Sequence, residues 1–199
     1  EEVPQWKSEL PEEYTSQGKE YLASMGIYVF HKKVIKKLFD NHPEDIDFGK
    51  QIIPKAVRGK KLTVASYPFG GYWTDIGSIP SYFNANLELA SPLPEFNLYD
   101  NARKIYTRAR MLAPTKIFGT TLSHALISDG CIINAATISH ALIGIRSRIG
   151  KDTVIKDSIV LGNDSYQTTL NSPTRMDDTK LLGIGKECHI SRCIIDRNV

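Results

Sequence analysis

The sequence predicts an α/β layer followed by a parallel β-solenoid, and three observations carry that prediction. Apolar runs of strand length alternate with helical patterns over residues 20–90. The stretch "SPLPEFNLYD" (91–100), with two prolines, then marks a linker. Beyond it the helical period vanishes, and aliphatic residues recur every six positions.

Taken in order, residues 1–19 are polar and contain Pro4, Pro11 and Gly18, which reads as a loop or extended arm. "YLASMGIYVF" (21–30) is almost continuously apolar, the pattern of a strand buried on both faces. "KKVIKKLFD" places Val34, Ile35, Leu38 and Phe39 at helical spacing. "DFGKQIIPKAVR" predicts a second helix, broken or kinked near Pro54 because proline lacks the amide that the preceding turn needs. "KLTVASYPF" (61–69) and "GYWTD" (71–75) read as strands. "IPSYFNANLELA" reads as a helix, with Ser78 as N-cap and Pro80 in its first turn.

In the second half, aliphatics stand at Leu126, Ile132 and Ile138 and, after a one-residue slip, at Ile143, Ile149, Ile155 and Leu161. Gly130, Gly144, Gly150 and Gly162 fall at or near the intervening turns. This spacing predicts short strands stacked coil on coil with aliphatics inward. The polar stretch 163–180 reads as a loop between coils, after which Ile184 and Ile190 resume the period. The chain ends at Val199 in mid-coil, which leads us to expect a cut chain or a partner over the open edge.

Composition sets outer bounds. The 25 basic and 22 acidic residues are well mixed and leave a net charge of +3, which gives no argument for nucleic acid. No apolar run reaches the ~20 residues of a membrane span, and "EEVPQWKSEL" does not resemble a signal peptide. Three cysteines, Cys131, Cys188 and Cys193, fit buried thiols in a reducing cytosol better than a disulfide framework or a zinc site.

The stretches "YLASMGIYVF", "DFGKQIIPKA", "GYWTDIGSIPSYFNANLELAS", "FNLYD", "IYTRARMLAPTK" and "CIIDRNV" together resemble the C-terminal half of ADP-glucose pyrophosphorylase (glucose-1-phosphate adenylyltransferase). The "SYQTT" and "GIGKECHI" region is closer to the plant and cyanobacterial branch. The resemblance implies part of a Rossmann-like nucleotidyltransferase domain over 1–90, a linker over 91–115 and a left-handed parallel β-helix over 116–199. It further implies Mg²⁺ dependence, a homo- or heterotetramer, and conversion of ATP and glucose 1-phosphate to ADP-glucose and pyrophosphate in glycogen or starch synthesis. Phosphorylated metabolites would act as effectors, and the compartment would be the cytoplasm, or the plastid in a plant. The family's Gly-rich phosphate loop, first metal-binding aspartate and Glu-Lys-Pro motif are absent from this sequence, so the chain alone is expected to be inactive.

On its own residues, Asp75 in "YWTDIG" is a turn or helix-capping aspartate. The resemblance aligns it with the family's second metal-binding carboxylate, and so with catalysis. Ser24 matches a serine that contacts glucose 1-phosphate, and Trp73 would shape the same pocket. Arg103, Lys104, Arg108, Arg110 and Lys116 form a cationic run without an acid, which suits a small anion as well as a solvated surface. The resemblance assigns effector binding to Arg110 and Lys116, although Ala109 and Ala113 replace two family prolines. It also assigns it to Arg197, where plant-type sites have lysine. His124, His140 and His189 read as structural, because no acid stands at a suggestive spacing. Alternatives are a catalytically dead regulatory subunit of the same family, another sugar-1-phosphate nucleotidyltransferase such as a GDP-mannose type, or a hexapeptide acyltransferase.

Overall fold

Residues 12–18, 23–59, 61–166 and 182–199 are described by the structure, a computed structural model. The sequence-predicted arm is therefore seen only in part, and the β-helix loop beyond Tyr166 lies outside the described residues. By its contacts the chain divides into two units, Glu1–Gly71 and Tyr72–Val199.

In the first unit a single turn, α1 (Glu12–Thr15), precedes α2 (Lys32–Asn41). The His31 side chain caps α2 by accepting from the Lys33 amide, and the end comes at His42, ahead of Pro43. The predicted kinked helix is a π-turn over Phe48–Ile52 running into α3 (Ile53–Arg58), with Pro54 in the first turn where its missing amide is harmless. Phe48 is the hub of an aromatic cluster. Tyr28 stacks on it at 6.0 Å, and Phe30 and Phe39 lie 5.8 and 6.0 Å away. Beneath them Ile52 and Ala56 are buried, and the Lys55 ammonium reaches the buried Asp45 carboxylate at 2.6 Å. That hydrogen bond raises the Lys55 pKa by favouring its charged form.

The predicted strands at 21–30, 61–69 and 71–75 are a correction. Residues 23–30, 63–70 and 72–77 carry no regular secondary structure, 23–30 bending at Gly26, and no described strand pairs with them. Only one side of the first is covered: Tyr28 and Phe30 pack on Phe48, while Ile27 and Val29 are 75% and 98% exposed. Alternation gives a strand its faces, but a ladder also needs a neighbour to take up its amides and carbonyls.

The second unit opens with α4 (Ile79–Glu88), capped as predicted by Ser78, whose Oγ accepts from the Ser81 amide at 3.2 Å. Among the described residues, eight strands then form a parallel solenoid. β1 (Lys116–Ile117), β3 (Ile132–Ile133) and β5 (Arg148–Ile149) make one sheet. β2 (Thr121–Ile127), β4 (Thr137–Ile143), β6 (Val154–Val160), β7 (His189–Ser191) and β8 (Ile194–Ile195) make the other. Thr121 pairs with Thr137 and Thr137 with Val154, so a coil takes sixteen or seventeen residues. α4 packs against β4 and β6 and buries Leu87.

The inward column differs by one residue from the sequence reading at Leu126, Ile132 and Leu161, where Ile127, Ile133 and Val160 face the core instead. Ile133, Ile138, Ile143, Ile149, Ile155 and Val160 are buried, whereas Ile132 is 43% exposed and Leu161 only half-buried. The step is five residues from Ile133 to Ile138, from Ile138 to Ile143 and from Ile155 to Val160, and six from Ile143 to Ile149 and from Ile149 to Ile155. One corner recurs within the long strands, where His124, His140, Asp157 and Arg192 take up positive φ (49°, 47°, 45° and 52°). The slip between Ile138 and Ile143 is such a corner. Gly162, at φ 82°, sits where an added Cβ would run into the Ile145 carbonyl of the coil below, so only glycine lets the coils stack there.

Candidate functional site

The residues singled out by sequence fall into separate groups. In the first unit, Ser24 is exposed and shares a hydrogen bond with the Tyr28 hydroxyl at 2.8 Å. The Gly26 amide donates to the same Ser24 Oγ at 3.2 Å, and Gly26 holds φ 71°, which bends the chain around the hydroxyl. The result is a small hydroxyl pair on an exposed turn.

In the second unit, Asp75 closes an Asx turn: the Gly77 amide donates to Oδ1 at 2.9 Å. That bond fixes the carboxylate, and Asp75 remains exposed, with no hydrogen bond to Oδ2 among the described residues. Trp73, two residues earlier, is 45% exposed and not a packed core side chain. Tyr72 between them is anchored, its ring 5.9 Å from Phe96 and its hydroxyl donating to Glu88 at 3.4 Å. Burial, with the nearby Glu88 charge, raises the Tyr72 pKa and keeps it a neutral donor. Among the described residues, no group of three or more His, Cys, Asp or Glu side chains could hold a metal by itself. A magnesium ion would fit here only as Mg²⁺ is held in phosphate-handling sites, by one or two carboxylates plus substrate phosphates and water.

From Arg103 to Arg110 the cationic run lies outside regular structure, with residues 103–111 all exposed, while Lys116 opens β1. The Arg110 guanidinium contacts the Arg108 carbonyl at 3.5 Å, and the Lys116 ammonium lies 5.4 Å from the Phe118 ring centre. Arg197 is placed differently. Its Nη1 donates to Asp164 Oδ1 at 3.2 Å, across 33 residues of sequence. Asp164 Oδ2 accepts from Asn198 Nδ2 at 2.9 Å, and the Asp164 amide donates to Asn198 Oδ1 at 2.9 Å. The hydrogen bond from Asn198, followed by the Arg197 charge, holds the Asp164 carboxyl below its usual range. No hydrogen bond or ion pair joins Arg110, Lys116 and Arg197 to one another.

Beside this corner is a concavity lined by Arg146, Arg148, Asn163, Ser165 and Tyr166. The Arg146 guanidinium lies over the Tyr166 ring at 5.8 Å, and Tyr166 donates its hydroxyl proton to the Gly130 carbonyl at 2.8 Å. Sequence reasoning missed this cluster because its members come from two coils and both ends of a long insertion. It also missed an acid for His140. Asp157 Oδ1 lies 2.7 Å from His140 Nδ1, seventeen residues on, at the same corner of the next coil. The coil length was the available signal. The pair is about half exposed and lines neither this concavity nor the neighbouring one at Ser147 and Gly162. The cysteines are all free, but only Cys131 is buried; Cys188 and Cys193 are half-buried.

Comparison with known families accounts for most of the chain. Residues 7–91 match the nucleotidyl transferase family, and residues 110–199 match the GLGC left-handed parallel β-helix domain. The chain thus carries a nucleotidyl transferase domain followed by a left-handed β-helix, a pairing consistent with ADP-glucose pyrophosphorylases. No helix among the described residues is long and apolar enough to cross a membrane.

Proposed function

With a nucleotidyl transferase segment joined to a GLGC-type β-helix as the premise, we propose that this chain is the sugar-phosphate-binding and regulatory part of a glucose-1-phosphate adenylyltransferase. The observation that carries the reading is the order of the two matches on one chain, which a generic sugar nucleotidyltransferase match alone would not supply. The reaction joins the phosphate of glucose 1-phosphate to the α-phosphorus of ATP and releases pyrophosphate.

In this reading, Ser24 and Tyr28 offer a hydroxyl pair to a sugar hydroxyl, and the fixed Asp75 carboxylate presents Oδ2 to Mg²⁺. The metal, when bound, neutralises phosphate charge as it develops on the leaving pyrophosphate. Trp73 supplies an exposed aromatic wall beside Asp75. Arg110, Lys116 and Arg197 receive phosphorylated effectors, with the guanidinium forks matched to phosphate oxygens. A homo- or heterotetramer is the expected assembly.

The test uses an enzyme that contains these residues together with a phosphate loop. Asp75→Asn is expected to lower kcat on the order of 10²-fold, as for loss of one transition-state electrostatic contact. Arg110→Ala is expected to shift the activator or phosphate midpoint while leaving the KM for ATP within about twofold. The 199-residue chain by itself is expected to make no ADP-glucose. Turnover with GTP and mannose 1-phosphate in place of ATP and glucose 1-phosphate would overturn the assignment.

A further inference from the structure

We infer that Asp164 acts as a built-in stand-in for the effector anion at Arg197, so that an incoming phosphate must displace it. The inference rests on the reading of Arg197 as an effector residue and concerns the regulation of that same site.

The geometry is that of a received anion. Both carboxylate oxygens are engaged, Oδ1 by Arg197 Nη1 at 3.2 Å and Oδ2 by Asn198 Nδ2 at 2.9 Å. The carboxylate is also held in place, because the Asp164 amide bonds back to Asn198 Oδ1 and closes a reciprocal pair. Asn198 presents its side chain from a left-handed turn at φ 60°, a conformation that asparagine tolerates and most residues avoid. Such a clamp is more than two mobile surface groups that meet by chance.

Two further arginines lie near the pair. Arg146 lies near enough to help hold Asp164 ionised, and Arg148 lines the adjoining concavity with it. Neither is in a direct ion pair among the described residues, although Arg148 shares the neighbouring concavity with Asp196. Asp196, whose Oδ1 accepts from the Arg197 amide at 2.7 Å, is a second carboxylate at this corner, so the local charges of Arg146 and Arg197 are already answered and an incoming phosphate has to take the place of Asp164. Asp164 and Arg197 are both more than half exposed, so the exchange needs no opening of the core. The Asp164 carboxyl is held below its ordinary 3.8, so at neutral pH it is fully charged and competes with any anion.

The test is calorimetric titration of the 199-residue chain with inorganic phosphate at constant ionic strength. Asp164→Asn is expected to tighten phosphate binding roughly fivefold or more, from the loss of one like charge within about 4 Å of the anion. Asp40→Asn, which adds the same net charge on α2, is expected to leave binding unchanged. Arg197→Ala is expected to weaken binding and to cancel the gain in the double variant. In the unsubstituted chain, phosphate is expected to shift the Asp164 and Asn198 amide NMR signals, a readout that does not depend on the variants folding. Equal or weaker binding by Asp164→Asn, or phosphate binding without those shifts, would overturn the stand-in role. Full phosphate affinity in Arg197→Ala would overturn the effector reading beneath it.

Discussion

Cys131 has the most constrained thiol of the three. It is 1% exposed, and its Sγ donates toward the Gly144 carbonyl at 3.1 Å inside the solenoid. Burial, only partly offset by neighbouring hydrogen bonds, raises its pKa, so the nucleophilic thiolate is scarce as well as hidden. Iodoacetamide at pH 8 should therefore label Cys188 and Cys193 in the native chain and reach Cys131 only in denaturant. Peptide mass spectrometry that finds Cys131 alkylated as fast as the other two would contradict this. At this scale the sequence was a partial guide. The Ser78 cap and the Pro54 kink follow from local chemistry and were readable, because cap and capped amide lie within one turn. The Asp164–Arg197 contact and the His140–Asp157 pair were not read, because each joins residues on different coils. The Asp164 contact also has a definite pH sense. Its carboxyl sits below the ordinary 3.8, so the stabilisation it gives is present above that value and is lost as pH falls through the lower folded value.

Among the elements, the solenoid strands show how one residue of register changes the energetics. Ile155 on β6 is fully buried, whereas Ile132 on β3 has 43% of its surface in solvent although the simple six-residue count places both inside. Ile155→Ala leaves a cavity between stacked coils and is expected to destabilise by about 2–5 kcal/mol. Ile132→Ala removes an outward side chain and is expected to change stability by about 0.5 kcal/mol or less. Urea denaturation followed by far-UV circular dichroism measures both, and similar losses would mean that the inward column has been misassigned. The period itself was legible because every coil repeats the same inward face. The register was not, because the corner within the long strands is a backbone event at His124, His140 and Asp157. Their side chains do not announce a left-handed φ as glycine would. The unpaired segments of the first unit failed differently: a nearly continuous apolar run at 21–30 predicts a strand buried on both faces, but Ile27 and Val29 meet no sheet among the described residues.

For the molecule as a whole, composition breaks at the prolines of 91–100, and the two family matches part between residues 91 and 110. Packing draws its line at Gly71–Tyr72 instead, because Leu87 and Ala90 are buried in a unit whose core is the β-helix. Helix α4 thus belongs to the transferase match by sequence and to the solenoid by contact. The second unit also holds most of the buried aliphatic surface, while Ile52 and Ala56 are the buried apolar side chains described in the first. Local opening follows buried contacts and backbone pairing, so amide exchange should rank the molecule accordingly. β4, paired on both sides by β2 and β6, is expected to exchange slowest with β6, and β2 faster, since one of its edges is unpaired in the sheet. Residues 23–30 and 63–70, without ladder partners among the described residues, are expected to exchange near the rates of unstructured peptide. Hydrogen–deuterium exchange with peptide-level mass spectrometry separates these classes within minutes. Strong protection at 23–30 in dilute chain would show that its amides are taken up after all. The open face bearing Ile27 and Val29 would then be covered in solution.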